Sequence, residues 1–106
     1  LNREVKEANI SDPIELGLRV YSRNCATCHS TGTDTIIGPG FQGLWGAKRE
    51  FSNADSVTAD AEYIRESIIA PNEKVVKGFP AKMNSFAGLL EEKDINHLIE
   101  FIKTLK

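Results

Sequence analysis

The chain has 106 residues, which is the size of one domain and leaves no room for a second hydrophobic core. It is 41% hydrophobic and 26% charged, and none of its apolar runs approaches the length of a membrane span, so a soluble globular domain is expected. Its 13 basic and 15 acidic residues give a formal net charge of −2, and this balance excludes the basic surface that nucleic-acid binding requires.

The N-terminal segment, residues 1–12, is polar and mixed in charge, and it is predicted to be a tail or a linker. The remaining residues, 13–106, are predicted to form the domain. The first helix is expected over residues 13–26, because Asp12 can cap it and Pro13 suits the first helical position.

Two further helices are predicted from apolar residues that recur at helical spacing. The second covers residues 59–70, with Thr58 as its N-cap and Pro71 as the residue that prevents its continuation. The third covers residues 91–105. Leu90 falls at its N-cap position, although serine or threonine would suit that position better.

Long irregular segments separate these helices. Residues 30–57 and 71–90 carry weak strand signals and exceed the connections usual in helical bundles. A short fourth helix is predicted around residues 42–45, although the glycines there lower helix propensity. Three modest helices supply a thin core, and a large flat apolar cofactor would both reinforce it and give the loops something to surround.

The pattern with the most chemical content is Cys25-Ala26-Thr27-Cys28-His29. At this spacing two thiols can add to the two vinyl groups of a haem, and the following histidine can reach the iron. The pattern therefore predicts one haem c, attached covalently through Cys25 and Cys28, with His29 as an iron ligand.

Two other interpretations of the cysteines are less favoured. A thioredoxin-like dithiol belongs at the start of a helix near a βαβ unit, whereas this pair follows the first helix. A closed zinc site needs four protein ligands, and His29 and His97 are the only histidines. Adjacent Cys28 and His29 would also be geometrically awkward as ligands of one zinc ion.

The sixth iron position decides between electron transfer and ligand chemistry, because an open position admits small molecules. Met83 is the only methionine, and it lies in the second irregular segment; its soft thioether favours reduced iron. His97 is the rival ligand, but it falls beside the apolar stripe of the last helix and is interpreted as structural. The sequence favours His29 and Met83 as the iron ligands.

With these residues in place, the chain resembles the class I c-type cytochromes over residues 13–106. Gly17 and Tyr21 precede the first cysteine by eight and four residues, and Leu98 and Phe101 lie three apart on the last helix. The resemblance implies an all-α fold in which three main helices, a short one and long loops surround one covalently bound haem. It also implies that Gly17 lets the first and last helices cross closely.

The resemblance implies roles for loop residues as well. The carbonyl of Pro39 would accept the N–H of His29 and so orient the ring. Trp45 would pack against the haem near a propionate, to which its indole N–H could donate. Further candidate propionate partners are Tyr63, Lys48 and Arg49.

Within the family, the chain is most similar to the cytochrome domain attached to subunit II of haem-copper oxidases and to small soluble bacterial cytochromes. This implies an electron carrier, not itself an enzyme, that serves a terminal oxidase or related respiratory complex in the periplasm or on the exterior face of the cytoplasmic membrane. Any targeting segment is expected to have been removed before Leu1. Asn84 departs from the proline common after the methionine and leaves that loop more flexible. The alternative function is a haem enzyme or gas sensor in which a small molecule displaces Met83.

The loop that bears the methionine is locally basic, whereas the whole chain is acidic. Its lysines, Lys74, Lys77 and Lys82, outnumber Glu73. They are predicted to border a docking face for an acidic redox partner and to raise the association rate at low salt.

Overall fold

The computed structural model describes residues 12–106, so the predicted tail lies outside the described part of the chain except for its last residue. The described residues form three α-helices, with a single 3-10 turn after the second of them. Two short antiparallel strands pair with Lys48 opposite Thr58. The bounds are α1 Pro13–Asn24, β1 Lys48–Arg49, β2 Val57–Thr58, α2 Ala61–Ile69, the 3-10 turn Pro71–Glu73 and α3 Glu92–Lys103. The predicted mostly helical fold with three main helices is confirmed. Across residues 12–106, no helix combines the length and the apolar character needed to cross a membrane.

Aspartate side chains fix the starts of the first two helices. Asp12 Oδ1 accepts the N–H of Ile14 at 2.9 Å, as predicted for α1. The predicted cap of α2, Thr58, is wrong: Asp60 Oδ1 accepts the N–H of Tyr63 at 2.9 Å instead. Because Thr58 pairs in β2, the helix starts after the strand has ended.

Two other predictions differ from the structure. Glu91, rather than Leu90, is the N-cap of α3, and its N–H donates to Asp94 Oδ2 at 3.0 Å. The short helix predicted around residues 42–45 is a turn without regular helix, because Gly43 adopts a left-handed φ of 75° that a helix cannot continue through.

The first and last helices cross at a glycine, as the family resemblance implies. A Cβ at Gly17 would overlap the carbonyl oxygen of His97 and lie 2.7 Å from Phe101 Cβ. The ring of Tyr21 packs beside that crossing, with its centroid 5.5 Å from that of Phe101. On α3, Leu98 is 1% exposed, so this contact forms the centre of the core.

The irregular segments complete the core from the other side. Phe41, Leu44 and Phe51 come from the first segment and are buried in the same apolar cluster as α2 and α3. The N–H of Gly43 donates to Leu105 O at 2.7 Å, which ties this segment to the C-terminus of the domain. The two segments thereby enclose a space beside α2.

Candidate functional site

A cavity of about 210 Å³ lies between the end of α1, the face of α2 and the two irregular segments. It brings together residues that are far apart in the sequence, since Cys25 and Cys28 line it together with Met83. Its apolar wall includes Leu44, Ile64, Ile68, Val76 and Leu98.

The two thiols reach the cavity because α1 ends in a tight turn. The N–H of Cys25 donates to Tyr21 O at 2.8 Å, and the N–H groups of Cys28 and His29 donate to Cys25 O at 3.1 and 2.9 Å. Cys25 is buried and Cys28 is half-buried, and no disulfide joins them. A single turn therefore presents both sulfurs and the imidazole to one space.

The surroundings of the cysteines suit neither rival chemistry. Burial, with a smaller contribution from the neighbouring Cys28, raises the pKa of the Cys25 thiol to about 11, so the group is protonated at neutral pH. Thiol exchange needs a thiolate, and this environment opposes one. Over residues 12–106, histidine, cysteine and acidic side chains form no group of three or more that could hold a metal ion.

His29 is fixed by three neighbours. Its Nδ1–H donates to the carbonyl oxygen of Pro39 at 2.8 Å, which is the contact that the resemblance implies. The ring of Phe41 stacks on the imidazole at 4.7 Å with an interplanar angle of 24°. On a further side, a Cβ at Gly38 would overlap His29 Cε1, so only glycine fits there.

These contacts also set the protonation of the ring. Burial lowers the pKa of His29, the hydrogen bond to Pro39 partly opposes this, and the charge of Arg49 adds to the lowering. A carbonyl can only accept, so Nδ1 carries the proton and Nε2 keeps its lone pair. At neutral pH the imidazole is therefore neutral, has a fixed tautomer and could act as a metal ligand.

The structure separates the two candidates for the second iron ligand. Met83 lines the cavity and is 37% exposed. His97 does not line it; its backbone instead lies at the crossing with Gly17.

Trp45, the predicted neighbour of a haem propionate, lies at the surface of the protein. The indole is 37% exposed and does not line the cavity, and the Nζ of Lys103 lies 4.8 Å from its ring centroid. The side chain thus lies beside the last residue of α3. Its place is a surface cation–π contact.

The three candidate propionate partners also differ in position. Arg49 and Tyr63 line the cavity, whereas Lys48 is exposed and does not line it. The Nε of Arg49 is buried, and it has no hydrogen-bond partner within residues 12–106. An orphaned buried guanidinium N–H is costly, and it marks a place where an anion would be accepted.

The lysines of the second segment are not equivalent. Lys74 donates to Glu66 Oε1 at 2.6 Å, and this hydrogen bond raises the pKa of Lys74 above its ordinary value. Lys74 therefore already has an intramolecular partner for its charge. Lys77 and Lys82 are exposed.

Sequence reasoning missed two residues around the site. Phe41 stacks on the imidazole, and Asn53 bridges the first irregular segment to the second. Neither belongs to a motif of fixed spacing, so the sequence carries no signal for them.

These residues fit a covalently attached haem. A pair of thiols, a neutral imidazole, a thioether and an unpaired guanidinium surround one largely apolar cavity. The thiols would attach the haem covalently, the imidazole and the thioether could ligate its iron, and the guanidinium could pair with a propionate carboxylate.

Comparison with known proteins agrees with this fit. The Cytochrome c family model matches residues 14–106. The cytochrome c of Gibberella zeae is 33% identical over 98 residues, which cover 85% of this chain and 92% of that protein. The cytochrome c of Stellaria longipes is 31% identical over 94 residues, covering 82% and 87%, and that of Arabidopsis thaliana is 29% identical over 108 residues, covering 94% and 96%.

The family match extends over nearly the whole described domain, and the cysteine pair of the family's covalent haem is present at Cys25 and Cys28. The matched relatives named cytochrome c are electron carriers and not enzymes. The chain therefore belongs to the cytochrome c family, as a class I monohaem protein that binds one haem c covalently and transfers electrons.

Proposed function

We propose that His29 and Met83 would ligate the haem iron, and that the protein passes single electrons to or from a terminal oxidase or related respiratory complex. One observation carries this proposal: the Nδ1–H of His29 is held by Pro39, so the Nε2 lone pair is available in a cavity that Met83 also lines. When bound, the haem supplies an iron that takes up and releases one electron.

The protein's own groups keep that site constant between oxidation states. The stacked, hydrogen-bonded imidazole of His29 cannot rotate without breaking contacts to Pro39 and Phe41. A neutral imidazole and a neutral thioether add no charge to the site, and the soft sulfur of Met83 favours the reduced metal. Little rearrangement is then needed when the charge of the site changes.

Arg49 is proposed to bind a propionate carboxylate. Its Nε is buried without a partner at the wall of the cavity, and a carboxylate would supply the missing acceptor and balance the charge. Tyr63 lines the same cavity and can contribute its hydroxyl.

The proposed docking face consists of Ile37, Lys77, Lys82 and Met83. Ile37, which is 53% exposed, lies with Lys82 and Met83 on the wall of the cavity, and all are open to solvent. An apolar surface with lysines suits an acidic partner that approaches close to the cofactor. Covalent haem attachment in this family takes place outside the bacterial cytoplasm or in an equivalent organellar compartment, which supports a periplasmic or exterior-membrane location.

Replacing the proposed ligand tests this function. In the haem-loaded protein, Met83→Leu is expected to abolish the long-wavelength absorption band of ferric iron with a thioether ligand and to let the reduced protein bind carbon monoxide. His97→Asn is the matched control, because His97 lies away from the cavity, and it is expected to change neither property.

Two outcomes would contradict the proposal. If the unaltered protein lacks the thioether band and binds carbon monoxide when reduced, the sixth position is open and the haem enzyme or gas sensor is favoured. If His97→Asn, rather than Met83→Leu, removes the sixth ligand, the ligand assignment is wrong.

A further inference from the structure

The loop that carries Met83 has few contacts of its own near that residue. Between residues 78 and 84, its backbone hydrogen bonds are short-range turns: Phe79 N–H to Val76 O at 3.0 Å and Lys82 N–H to Pro80 O at 2.9 Å. Residues 80–85 are all exposed. The position of Met83 therefore depends on how the loop is held at its two ends.

The C-terminal end is held by the last turn of α2. Ser85 Oγ donates to Ile69 O at 2.6 Å, and the N–H of Phe86 donates to Ile68 O at 2.9 Å. This attachment, which we call the rear anchor, begins two residues after Met83.

The N-terminal end is held by the loop between β1 and β2. The N–H of Ser52 donates to Val75 O at 2.9 Å, and the N–H of Lys77 donates to Glu50 O at 2.9 Å. Between these bonds Phe51 forms an antiparallel bridge with Val76. We call this attachment the front anchor.

Asn53 extends the front anchor with its side chain. Its Oδ1 accepts the N–H of Val75 at 2.8 Å, and its Nδ2 donates to Asn72 O at 3.1 Å and reaches Glu73 O at 3.5 Å. These two carbonyls close the 3-10 turn that follows α2, where unpaired backbone groups need partners. One amide thus joins the end of that turn to the strand-like residues that follow it.

Asn53 acts on the cavity only through the backbone it holds. It does not line the cavity, whereas Asn72, Val75 and Val76 do. The primary amide matches its partners in full, because it offers one acceptor to the N–H and one donor group to the two carbonyls. Aspartate would lose the donor, and serine would be too short to span both sides.

We propose that Asn53 is a positioning residue that keeps Met83 on the iron by fixing the front anchor. The proposal rests on the proposed function, since it takes Met83 as the sixth ligand. Loss of Asn53 removes the side-chain bonds of the front anchor and leaves only its backbone contacts. The loop is then held less firmly at this end, and Met83 gives way more easily to an external ligand.

Imidazole titration of the ferric, haem-loaded protein measures this directly. Asn53→Ala is expected to lower the imidazole concentration that half-removes the thioether band roughly tenfold, as the loss of one or two net hydrogen bonds implies. Asn53→Asp keeps the acceptor for Val75 and is expected to fall between Asn53→Ala and the unaltered protein. Ser85→Ala, at the rear anchor, is expected to act in the same direction.

Asn96→Ala is the matched control. Asn96 Oδ1 accepts from Arg65 Nη2 at 2.7 Å on the exposed side of α3, so this variant also loses an asparagine hydrogen bond, but away from the Met83 loop. Asn96→Ala is expected to leave the imidazole midpoint unchanged. This holds even if Asn96→Ala and Asn53→Ala lower the urea concentration at the midpoint of unfolding by the same amount.

The outcomes separate the two proposals. An unaltered protein without a thioether band overturns the ligand assignment itself. A thioether band with the same imidazole midpoint in Asn53→Ala and Asn96→Ala overturns the positioning role alone. If Asn53→Ala does not fold, amide hydrogen exchange at Val75 in the unaltered protein replaces it as the test. Fast exchange would overturn the positioning role, whereas strong protection together with an intermediate imidazole midpoint for Asn53→Asp would support it.

Discussion

Neighbours on three sides determine how the imidazole of His29 can act. Pro39 selects the tautomer, Phe41 covers one face, and Gly38 allows the backbone to approach the ring edge. The last of these contacts is the most demanding sterically, because the ring and the glycine are both held by other bonds. It gives a sharp test of how strictly the ring is positioned.

Gly38→Ala is expected to displace the imidazole. The new Cβ would overlap Cε1 and lie 2.7 Å from Nδ1, so the ring or the loop must move. We expect a loss of about 1–3 kcal/mol in the free energy of unfolding, as for other overpacked sites, together with altered electron paramagnetic resonance of the low-spin ferric protein.

Gly32→Ala serves as the control in the same segment. Its Cβ would meet Asp34 Oδ1 at 3.0 Å, at the end of a side chain that can move. It is expected to leave the resonance signal unchanged. Equal effects of Gly32→Ala and Gly38→Ala would show that the ring is not confined in the way the structure indicates.

Local chemistry explains which site residues could be predicted from the sequence. The cysteines and His29 lie within one turn, so their spacing alone brings them together. The surroundings of Trp45 could not be predicted in the same way, because its neighbour Lys103 lies far along the chain. The partners of Asn53 follow it by 19 to 22 residues, and only the folded loops reveal that contact.

The contact between α1 and α3 likewise shows which features of the helices could be predicted from the sequence. Their periodicity predicted the helices, and the family resemblance implied their close crossing at Gly17. The crossing gives a reason for a glycine that otherwise costs helix stability. The predicted caps of α2 and α3 were wrong by one or two residues, since the choice among neighbouring candidates depends on where the preceding strand or loop ends.

Gly17→Ala is expected to separate α1 from α3. Alanine has the better helix propensity, but its Cβ would overlap the backbone oxygen of His97, which cannot move without shifting α3. A net loss of about 1–3 kcal/mol in unfolding free energy is expected from urea titration.

Ser22→Ala, at an exposed position of the same helix, is the control and should stay within about 0.5 kcal/mol of the unaltered protein. If Gly17→Ala were stabilising, helix propensity would outweigh the crossing contact, and the close approach would not be a determinant of the fold.

The distribution of charge over the molecule is what the sequence predicted least completely. The local lysine excess was visible, but the pairing of Lys74 with Glu66 was not, because those residues belong to a loop and to α2. We therefore take the exposed Lys77 and Lys82 as the charges of the proposed docking face.

Reversing the charges of Lys77 and Lys82 tests whether the electrostatic attraction of redox partners comes from the proposed docking face. Lys77→Glu with Lys82→Glu is expected to slow oxidation of the reduced protein by the anion ferricyanide about tenfold at low salt, and to speed oxidation by a cationic cobalt complex. Lys48→Glu with Lys93→Glu makes the same change in net charge on exposed positions that do not line the cavity, and a much smaller effect is expected. Both rate differences should shrink as the salt concentration rises, because salt screens the interaction between charges and the screening length is only about 10 Å at 0.1 M. Equal slowing by the two double variants would mean that total charge, rather than the docking face, governs the approach of redox partners.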